Sequence, residues 1–315
     1  MEENENKTRE KYVILKENIQ KKFTGGEDFV RNMIIAFLAG GHILIEDVPG
    51  VGKTTAAKSL ADSLECEFAR IQFTPDTMPS DVLGTTVYVA ATGEFKVVKG
   101  PVFHHIILAD EINRTSPKTQ SALLECMEER QVTIDGTSYS LPDPFIVIAT
   151  QNPIDQVGTY LLPEAQLDRF MMKLSVGYPD RDSSRKLAER FLGGVLSEDL
   201  KPVLTREDIL TMQKEVREVH ISDELIDYST SIVEATRGLK ELRYGLSPRA
   251  GLDLIRASQS CAYILGRDYV IPEDIIDMAR VVLPHRMVPT AEARMSRMNG
   301  KQLITNILKQ IRRPM

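Results

Sequence analysis

The stretch Asp47-Val48-Pro49-Gly50-Val51-Gly52-Lys53-Thr54 decides the fold. It follows the apolar segment His42-Ile43-Leu44-Ile45, which is typical of a buried strand, and precedes helical spacing of apolar residues between Thr54 and Leu64. A glycine-rich loop that joins a strand to a helix is the context of a phosphate-binding P-loop. The sequence therefore predicts an α/β protein that binds a phosphate-bearing ligand here.

The residue types of this loop suit a nucleoside triphosphate with Mg²⁺. Gly50 and Gly52 allow backbone N–H groups to approach phosphate oxygens, and the helix N-terminus adds positive potential. We expect Lys53 to reach the β- and γ-phosphates and Thr54 to offer its hydroxyl to Mg²⁺. The predicted nucleotide-binding set is completed by Pro49, Val51 and Thr55. Asp47 stands where the strict motif has glycine, so its carboxylate is expected to point away from the phosphates.

Two later strands carry polar residues at their ends. The strand predicted at 106–109 ends in Asp110-Glu111, and the one at 145–150 ends in Gln151-Asn152-Pro153. Taken alone, either pattern could be a surface turn. Because parallel strands meet at one carboxyl edge, where α/β sheets bind ligands, we favour a site. Asp110 is expected to hold Mg²⁺ through water, Glu111 to orient the water that attacks the γ-phosphate, and Asn152 to contact that water or the phosphate.

Two later arginines are candidates to neutralise the negative charge that grows on the phosphate in the transition state. Arg169, just before the last predicted strand, is a candidate arginine finger, and its alternative is a surface arginine paired with Asp168 or Glu164. Ser247-Pro248 begins a helix that projects Arg249 from its first turn. Without the other motifs, Arg249 would pass as an ordinary exposed charge.

The wider pattern indicates a parallel sheet with helices on both faces. Further helices are predicted at 7–24, 29–38 and 117–129, and further strands at 68–73 and 171–175. Two β-hairpins interrupt the alternation, one pairing 86–90 with 94–98 and the other pairing 131–134 with 137–141. Beyond about residue 180 the pattern is helical, with starts at Ser183, Thr205, Ser222, Ser247 and Pro272.

Composition excludes several classes of protein. The chain of 315 residues has 42% hydrophobic and 27% charged residues and a mean hydropathy of -0.18, without an apolar run of membrane-spanning length. Its first six residues lack the basic start of a secretory signal, so we expect a cytoplasmic protein. Cys66, Cys126 and Cys261 are expected to be buried, reduced thiols. The net charge of -6 argues mildly against nucleic acid as the main partner.

Together and in this order, the motifs resemble the AAA+ ATPases: Walker A at 47–54, Walker B at 106–111, sensor 1 at Asn152, an arginine finger at Arg169 and sensor 2 at Arg249. More narrowly, the chain resembles the MoxR family over nearly its whole length. The segments that carry this resemblance are Gly100-Pro101-Val102-Phe103, Asp110-Glu111-Ile112-Asn113-Arg114, Gln120-Ser121-Ala122-Leu123-Leu124-Glu125, Ala149-Thr150-Gln151-Asn152-Pro153, Glu164-Ala165-Gln166-Leu167-Asp168-Arg169-Phe170 and Ser247-Pro248-Arg249-Ala250.

The resemblance implies a P-loop AAA+ core at 1–190, with a parallel sheet and hairpin insertions, followed by an α-helical lid domain at 200–315. It also implies a homo-oligomeric ring, commonly hexameric, in which ATP binds between neighbours and Arg169 completes the adjacent subunit's site. Arg249 could act in either subunit. MoxR proteins are thought to remodel protein complexes, often with partners that contain a von Willebrand factor A domain.

Two other functions fit the same motifs. A nucleic-acid motor of the helix-2-insert type would need basic and aromatic residues on its hairpins, and the tips at 91–94 and 135–137 carry no cation. A nucleotide-gated scaffold would bind ATP with little turnover. His104-His105 lacks a third ligand at helical spacing, so packing or hydrogen bonding is favoured over zinc. Arg114 could contact a neighbouring subunit or form an internal ion pair.

Overall fold

A computed structural model describes residues 2–48, 50–152, 160–178, 181–192 and 200–314. Pro49, predicted in the phosphate loop, and Pro153, which follows Asn152, lie outside these ranges. Residues 179–180 and 193–199, near the expected boundary between the two regions, also lie outside them.

The described residues form nine strands and thirteen α-helices. The strands are β1 (Ile43–Glu46), β2 (Phe68–Gln72), β3 (Gly84–Val89), β4 (Glu94–Lys99), β5 (Ile106–Asp110), β6 (Gln131–Ile134), β7 (Thr137–Ser140), β8 (Ile146–Gln151) and β9 (Met172–Leu174). The helices are α1 (Glu2–Lys22), α2 (Glu27–Leu38), α3 (Lys53–Asp62), α4 (Pro79–Leu83), α5 (Pro117–Glu129), α6 (Glu164–Leu167), α7 (Arg181–Leu192), α8 (Arg206–Glu218), α9 (Asp223–Ala235), α10 (Pro248–Ile264), α11 (Pro272–Val282), α12 (Ala291–Met295) and α13 (Gly300–Gln310).

The centre of the molecule is a parallel five-stranded sheet with the order β2-β5-β8-β1-β9. Its register sets Glu46 opposite Gln151 and Gln72 opposite Asp110, so the last residues of these strands share one edge. The segments that follow β1, β5 and β8 therefore begin at the same carboxyl edge, as the sequence predicts.

The two faces of the sheet are covered by different elements. In β1, Ile43 and Ile45 face one apolar cluster and Leu44 faces another, as the two-residue period of a strand requires. The first cluster contains residues of α2, α3 and α10, and the second contains residues of α5 and the β6–β7 hairpin. The expectation of helices on both faces is confirmed.

Both predicted hairpins are present, with slightly different bounds. β3 pairs with β4 from Gly84 to Lys99, and β6 pairs with β7 across Asp135-Gly136. Asp135 and Gly136 have φ values of 47° and 80°, the pair of left-handed conformations that a two-residue type I′ turn needs. The first hairpin exposes Tyr88 and Phe95, whose ring centroids lie 5.3 Å apart.

Four of the five predicted helix starts coincide with observed ones. Thr205 and Ser247 accept hydrogen bonds from the N–H groups of Asp208 and Ala250, Ser222 is the residue before α9, and Pro272 opens α11. The start at Ser183 is wrong, because α7 begins at Arg181. Ser183 lies inside the first turn of α7.

The helical region packs directly on the sheet domain. The Ser260 hydroxyl of α10 donates to the Ile35 carbonyl at 3.0 Å, and the Gln213 amide of α8 donates to the Phe37 carbonyl at 2.8 Å. One apolar cluster runs from α2 through α10 to α11 and α13. The relative position of core and lid is therefore fixed by a shared core in this structure.

The cysteines and histidines have structural surroundings. Burial raises the pKa of Cys126 to about 12 and that of Cys261 to about 11, but Cys66 is only half-buried, so the expectation of three buried thiols is wrong for Cys66. His104 and His105 form backbone hydrogen bonds, and the described ranges contain no cluster of three metal-ligating side chains. None of the helices in those ranges is long and apolar enough to span a bilayer.

Candidate functional site

The phosphate loop has the backbone that its sequence predicts. Gly50 and Gly52 take φ values of 85° and 92°, which glycine adopts without steric cost. Gly52 is the N-cap residue of α3 and has no side chain that could cap this helix start. Such a terminus is an anion-binding position. The Lys53 ammonium folds back on the loop and donates to the Asp47 carbonyl at 2.7 Å.

Asp47 occupies the position that departs from the strict motif. Its Oδ2 accepts hydrogen bonds from the Gly177 N–H at 2.7 Å and the Ser175 hydroxyl at 2.9 Å, and its Oδ1 accepts from the Val48 N–H at 3.0 Å. Burial raises the pKa of Asp47, but these hydrogen bonds outweigh it and hold the pKa below its ordinary value. The carboxylate therefore anchors the loop to the segment after β9, as the expectation that it points away requires.

The two acidic residues at the end of β5, Asp110 and Glu111, bind different partners. Asp110 is buried, and its carboxylate accepts hydrogen bonds from the Thr150 hydroxyl and the Arg70 guanidinium, each at 2.6 Å. Glu111 has a left-handed backbone with φ 58°, and its Oε2 accepts from Arg114 at 3.0 Å and Gln72 at 3.1 Å. Both carboxylates are thus paired with an arginine. Arg114 forms an internal ion pair, which was one of its two predicted alternatives.

Asn152 lies directly after β8 and is buried. Its carbonyl accepts a hydrogen bond from the Asn113 amide at 3.3 Å. The Thr150 hydroxyl, two residues earlier, accepts from the Glu111 N–H at 2.9 Å. Hydrogen bonds therefore join the ends of β5 and β8 beside the phosphate loop.

A cavity of about 320 Å³ adjoins the phosphate loop. It is lined by predicted nucleotide-binding residues, Gly50 to Gly52 and Thr55, and by two segments that the sequence analysis did not assign to the site, 22–26 and 176–178. From the sequence, residues 25–26 are only the gap between the helices predicted at 7–24 and 29–38. Both segments therefore line the same space as the phosphate loop.

Arg169 and Arg249 lie at the other edge of the sheet. Arg169 comes just before β9, and the Met171 N–H bonds to the carbonyl of His42 just before β1, so this segment is at the amino edge. Arg169 Nε donates to Glu128 Oε2 at 2.7 Å, and Arg249 Nη1 donates to Glu128 Oε1 at 2.8 Å. The structure brings the two predicted arginines together but does not bring them to Lys53.

The partners proposed for Arg169 as a surface residue, Asp168 and Glu164, bind the lid instead. The Ser247 hydroxyl donates to Asp168, and Tyr244 donates to Glu164. Arg286, whose side chain is 2% exposed, also pairs with Asp168. These contacts join the segment that carries Arg169 to the start of α10, which carries Arg249.

Two regions of the chain match known protein families. The family described as "ATPase family associated with various cellular activities (AAA)" matches residues 42–172, and the AAA lid domain matches residues 234–307. The chain is 46% identical to YeaC of Bacillus subtilis, an uncharacterised protein, over 95% of this chain and 93% of the relative. It is 41% identical to "Chaperone MoxR1" of Mycobacterium tuberculosis, over 94% of this chain and 80% of the relative.

The chain belongs to the MoxR family of AAA+ ATPases. A crystal structure from Cytophaga hutchinsonii, provisionally assigned as an ATPase, superposes with a TM-score of 0.92 at 41% identity. The match covers 100% of this chain and 98% of the other. The predicted fold class, an AAA+ α/β core with a helical lid, is confirmed.

In this MoxR-family protein, the site residues fall into two groups. The first group shares the carboxyl edge of the sheet and consists of Lys53, Thr54, Asp110, Glu111 and Asn152. Of the predicted phosphate loop, Pro49 is the one residue that lies outside the described ranges. Arg169 and Arg249 share the amino edge. Four partners of these residues were not predicted from the sequence: Arg70, Gln72, Thr150 and Glu128. Each lies on an element other than that of the residue it binds, and none belongs to a local motif.

Proposed function

We propose that this protein hydrolyses ATP with Mg²⁺ and uses the reaction to remodel or mature protein complexes. The observation that carries the proposal is the convergence of the phosphate loop, Asp110-Glu111 and Asn152 on one sheet edge beside a cavity of about 320 Å³. The membership in an ATPase family and a relative named as a chaperone support the same function.

The triphosphate would bind along the first turn of α3. Lys53 would exchange its bond to the Asp47 carbonyl for the phosphate oxygens, since a charged acceptor makes a stronger hydrogen bond than a neutral one. The base would enter the cavity between residues 22–26 and 176–178. Asp47 would hold these two parts of the site together through Gly177.

The residues present fit Mg²⁺. The Thr54 hydroxyl and the Asp110 carboxylate are hard oxygen ligands, and no hydrogen bond of the Thr54 hydroxyl occurs within the described ranges. The bound ion would neutralise charge on the β- and γ-phosphates. Thr150 fixes the orientation of Asp110, so the remaining oxygen would face the ion directly or through water once Arg70 moves aside.

Glu111 would orient the attacking water, with Asn152 as a second contact to the water or the γ-phosphate. Arg114 and Gln72 hold the Glu111 carboxylate in this structure. A water molecule would have to compete with these two donors, so their release is part of forming the active site.

We infer that a complete site needs two copies of the chain. Arg169 and Arg249 lie at the amino edge and Lys53 lies beyond the carboxyl edge of the same sheet. Neither arginine can therefore serve its own phosphate loop without leaving Glu128 and crossing the sheet. Both would act on the nucleotide of an adjacent copy, which supports a closed ring, of six subunits by analogy with the family.

The first hairpin is the candidate client contact. Tyr88 and Phe95 are 56% and 76% exposed on a hairpin that projects from the core, a surface suited to extended protein segments. Partners with a von Willebrand factor A domain remain the expected helpers. The exposed rings also favour a second candidate, a nucleic-acid motor, because aromatic side chains stack on bases.

The test of the function is Mg²⁺-dependent release of phosphate from ATP by the purified protein. Wild-type protein should turn over ATP and lose that activity in excess EDTA. Lys53→Ala, with its fold checked by circular dichroism, should lack activity. Absence of turnover in assembled wild-type protein, with and without a candidate partner, would instead favour the nucleotide-gated scaffold.

A further inference from the structure

The carboxylate of Glu128 joins the two arginines at the amino edge of the sheet. We propose that Glu128 is a positioning residue, which holds Arg169 and Arg249 as one paired cationic group for the γ-phosphate bound by the neighbouring copy. The inference rests on the proposed composite site. It assigns a role to a residue outside every motif that the sequence analysis recognised.

The hydrogen-bond geometry suits this role. Glu128 Oε2 accepts from Arg169 Nε and Glu128 Oε1 accepts from Arg249 Nη1, so each carboxylate oxygen binds one arginine. The bond to Nε leaves both terminal NH₂ groups of Arg169 available, and these are the groups that form a bidentate contact with phosphate. In the described part of the chain, neither arginine forms another ion pair.

The electrostatics require such a residue. Two guanidinium groups that approach the same point repel each other, and the carboxylate between them reduces that repulsion. The hydrogen bond from Arg169 and the charge of Arg249 hold the pKa of Glu128 below its ordinary value, so it stays ionised at neutral pH. The trio keeps one net positive charge for the neighbour's phosphate.

The three residues come from three different elements. Glu128 lies in the last turn of α5, Arg169 follows α6, and Arg249 lies in the first turn of α10. The Ser247–Asp168 hydrogen bond fixes the backbone on which both arginines sit, but it leaves their long side chains free to rotate. Glu128 is the contact that sets where the two guanidinium groups point.

A mixed-ring experiment separates this role from a structural one. Arg169→Ala protein keeps its phosphate loop but cannot donate Arg169, and Lys53→Ala protein can donate it but cannot bind ATP tightly. Mixing them should restore turnover at sites between unlike copies. We expect that Glu128→Ala in the Lys53→Ala chain lowers the restored turnover about 10-fold or more, because a misplaced arginine loses transition-state contact. Glu128→Ala in the Arg169→Ala chain should instead leave the restored turnover within about two-fold of its value without that change.

Glu128→Gln is a second variant for the case that Glu128→Ala misfolds. Glutamine has nearly the same shape as glutamate but keeps only one acceptor oxygen. It should give an intermediate loss when placed in the donating chain. Glu129→Gln is the matched control, since Glu129 is the adjacent exposed residue and its side chain forms no hydrogen bond or ion pair within the described ranges. Sedimentation should show equal assembly of every mixture, and ATP affinity of the Glu128 variants in an otherwise wild-type chain should be unchanged.

The outcomes are distinct. If rescue is the same or greater with Glu128→Ala in the donating chain, the positioning role is wrong while the composite site stands. If unmodified Arg169→Ala and Lys53→Ala chains form mixed rings but show no rescue, the composite site and the role of Glu128 are both wrong.

Discussion

The Gly177 N–H donates a hydrogen bond to Asp47 Oδ2 at 2.7 Å, which links the phosphate loop to the segment after β9. Asp47 also binds Ser175 and the Val48 N–H, so one carboxylate satisfies three donors. The side chain that departs from the strict P-loop motif is therefore a structural anchor of that loop.

Replacing this anchor should reduce stability. Asp47→Ala leaves three donors without their acceptor, and we expect it to lower the free energy of unfolding by about 2 kcal/mol. Urea denaturation measures this loss. Asp76→Ala, which removes an exposed aspartate whose side chain forms no hydrogen bond or ion pair with the described residues, should stay within about 0.5 kcal/mol of wild type. Equal stabilities of the two variants would contradict the anchoring role.

Glu111→Gln should separate binding from cleavage. The amide keeps the size of the side chain but cannot accept a proton, so we expect ATP affinity within a few-fold of wild type and turnover reduced by about 100-fold or more. Titration with a fluorescent ATP analogue and single-turnover hydrolysis measure the two effects. Glu125→Gln, on the exposed side of α5, is the control and should hydrolyse ATP normally. Undiminished cleavage by Glu111→Gln would exclude Glu111 as the water-orienting residue.

Acid should destabilise the protein through His42, which is buried below the sheet. Burial, assisted by the charge of Arg130, lowers its pKa to about 3, and the neutral ring accepts from the Val147 N–H and donates to the Met127 carbonyl. Between pH 6.5 and about 3 the unfolded chain binds the extra proton, so stability falls as the pH falls.

From pH 7 to pH 5 the loss due to His42 should be about 2 kcal/mol. His42→Gln cannot take up a proton, and we expect the difference in unfolding free energy between pH 7 and pH 5 to shrink by that amount. Urea titrations at both pH values measure it, with His220→Gln, a change at an exposed histidine, as the control. An unchanged pH dependence in His42→Gln would show that other groups cause the acid effect.

Much of this architecture follows from local signals in the sequence. The buried strands and the caps at Thr205 and Ser247 are determined by residues within a few positions, and their predicted bounds lie close to the observed ones. The contact of Arg169 with Glu128 could not be predicted, because it depends on how α5, α6 and α10 meet at the amino edge. Local pairing with Asp168 or Glu164 was the available expectation, and tertiary packing gives those carboxylates to Ser247 and Tyr244.

The exposed aromatic pair of the first hairpin could contact a protein segment or a nucleic acid, and the response of ATP turnover to nucleic acid distinguishes the two. If Tyr88 and Phe95 contact protein segments, single-stranded DNA or RNA should change ATP turnover by less than about two-fold near 150 mM salt. Turnover measured with and without each nucleic acid tests this. Strong stimulation that is lost in Phe95→Ala would establish the nucleic-acid motor instead.

The composite site is tested most directly by mixing Arg169→Ala with Lys53→Ala protein, each inactive alone. With random assembly at equal amounts, about a quarter of the sites combine an intact phosphate loop with an intact neighbouring arginine, so turnover should return to about a quarter of the wild-type value per chain. Sedimentation of differently labelled chains confirms that mixed rings form. Mixed rings without restored turnover would contradict a site shared between adjacent copies.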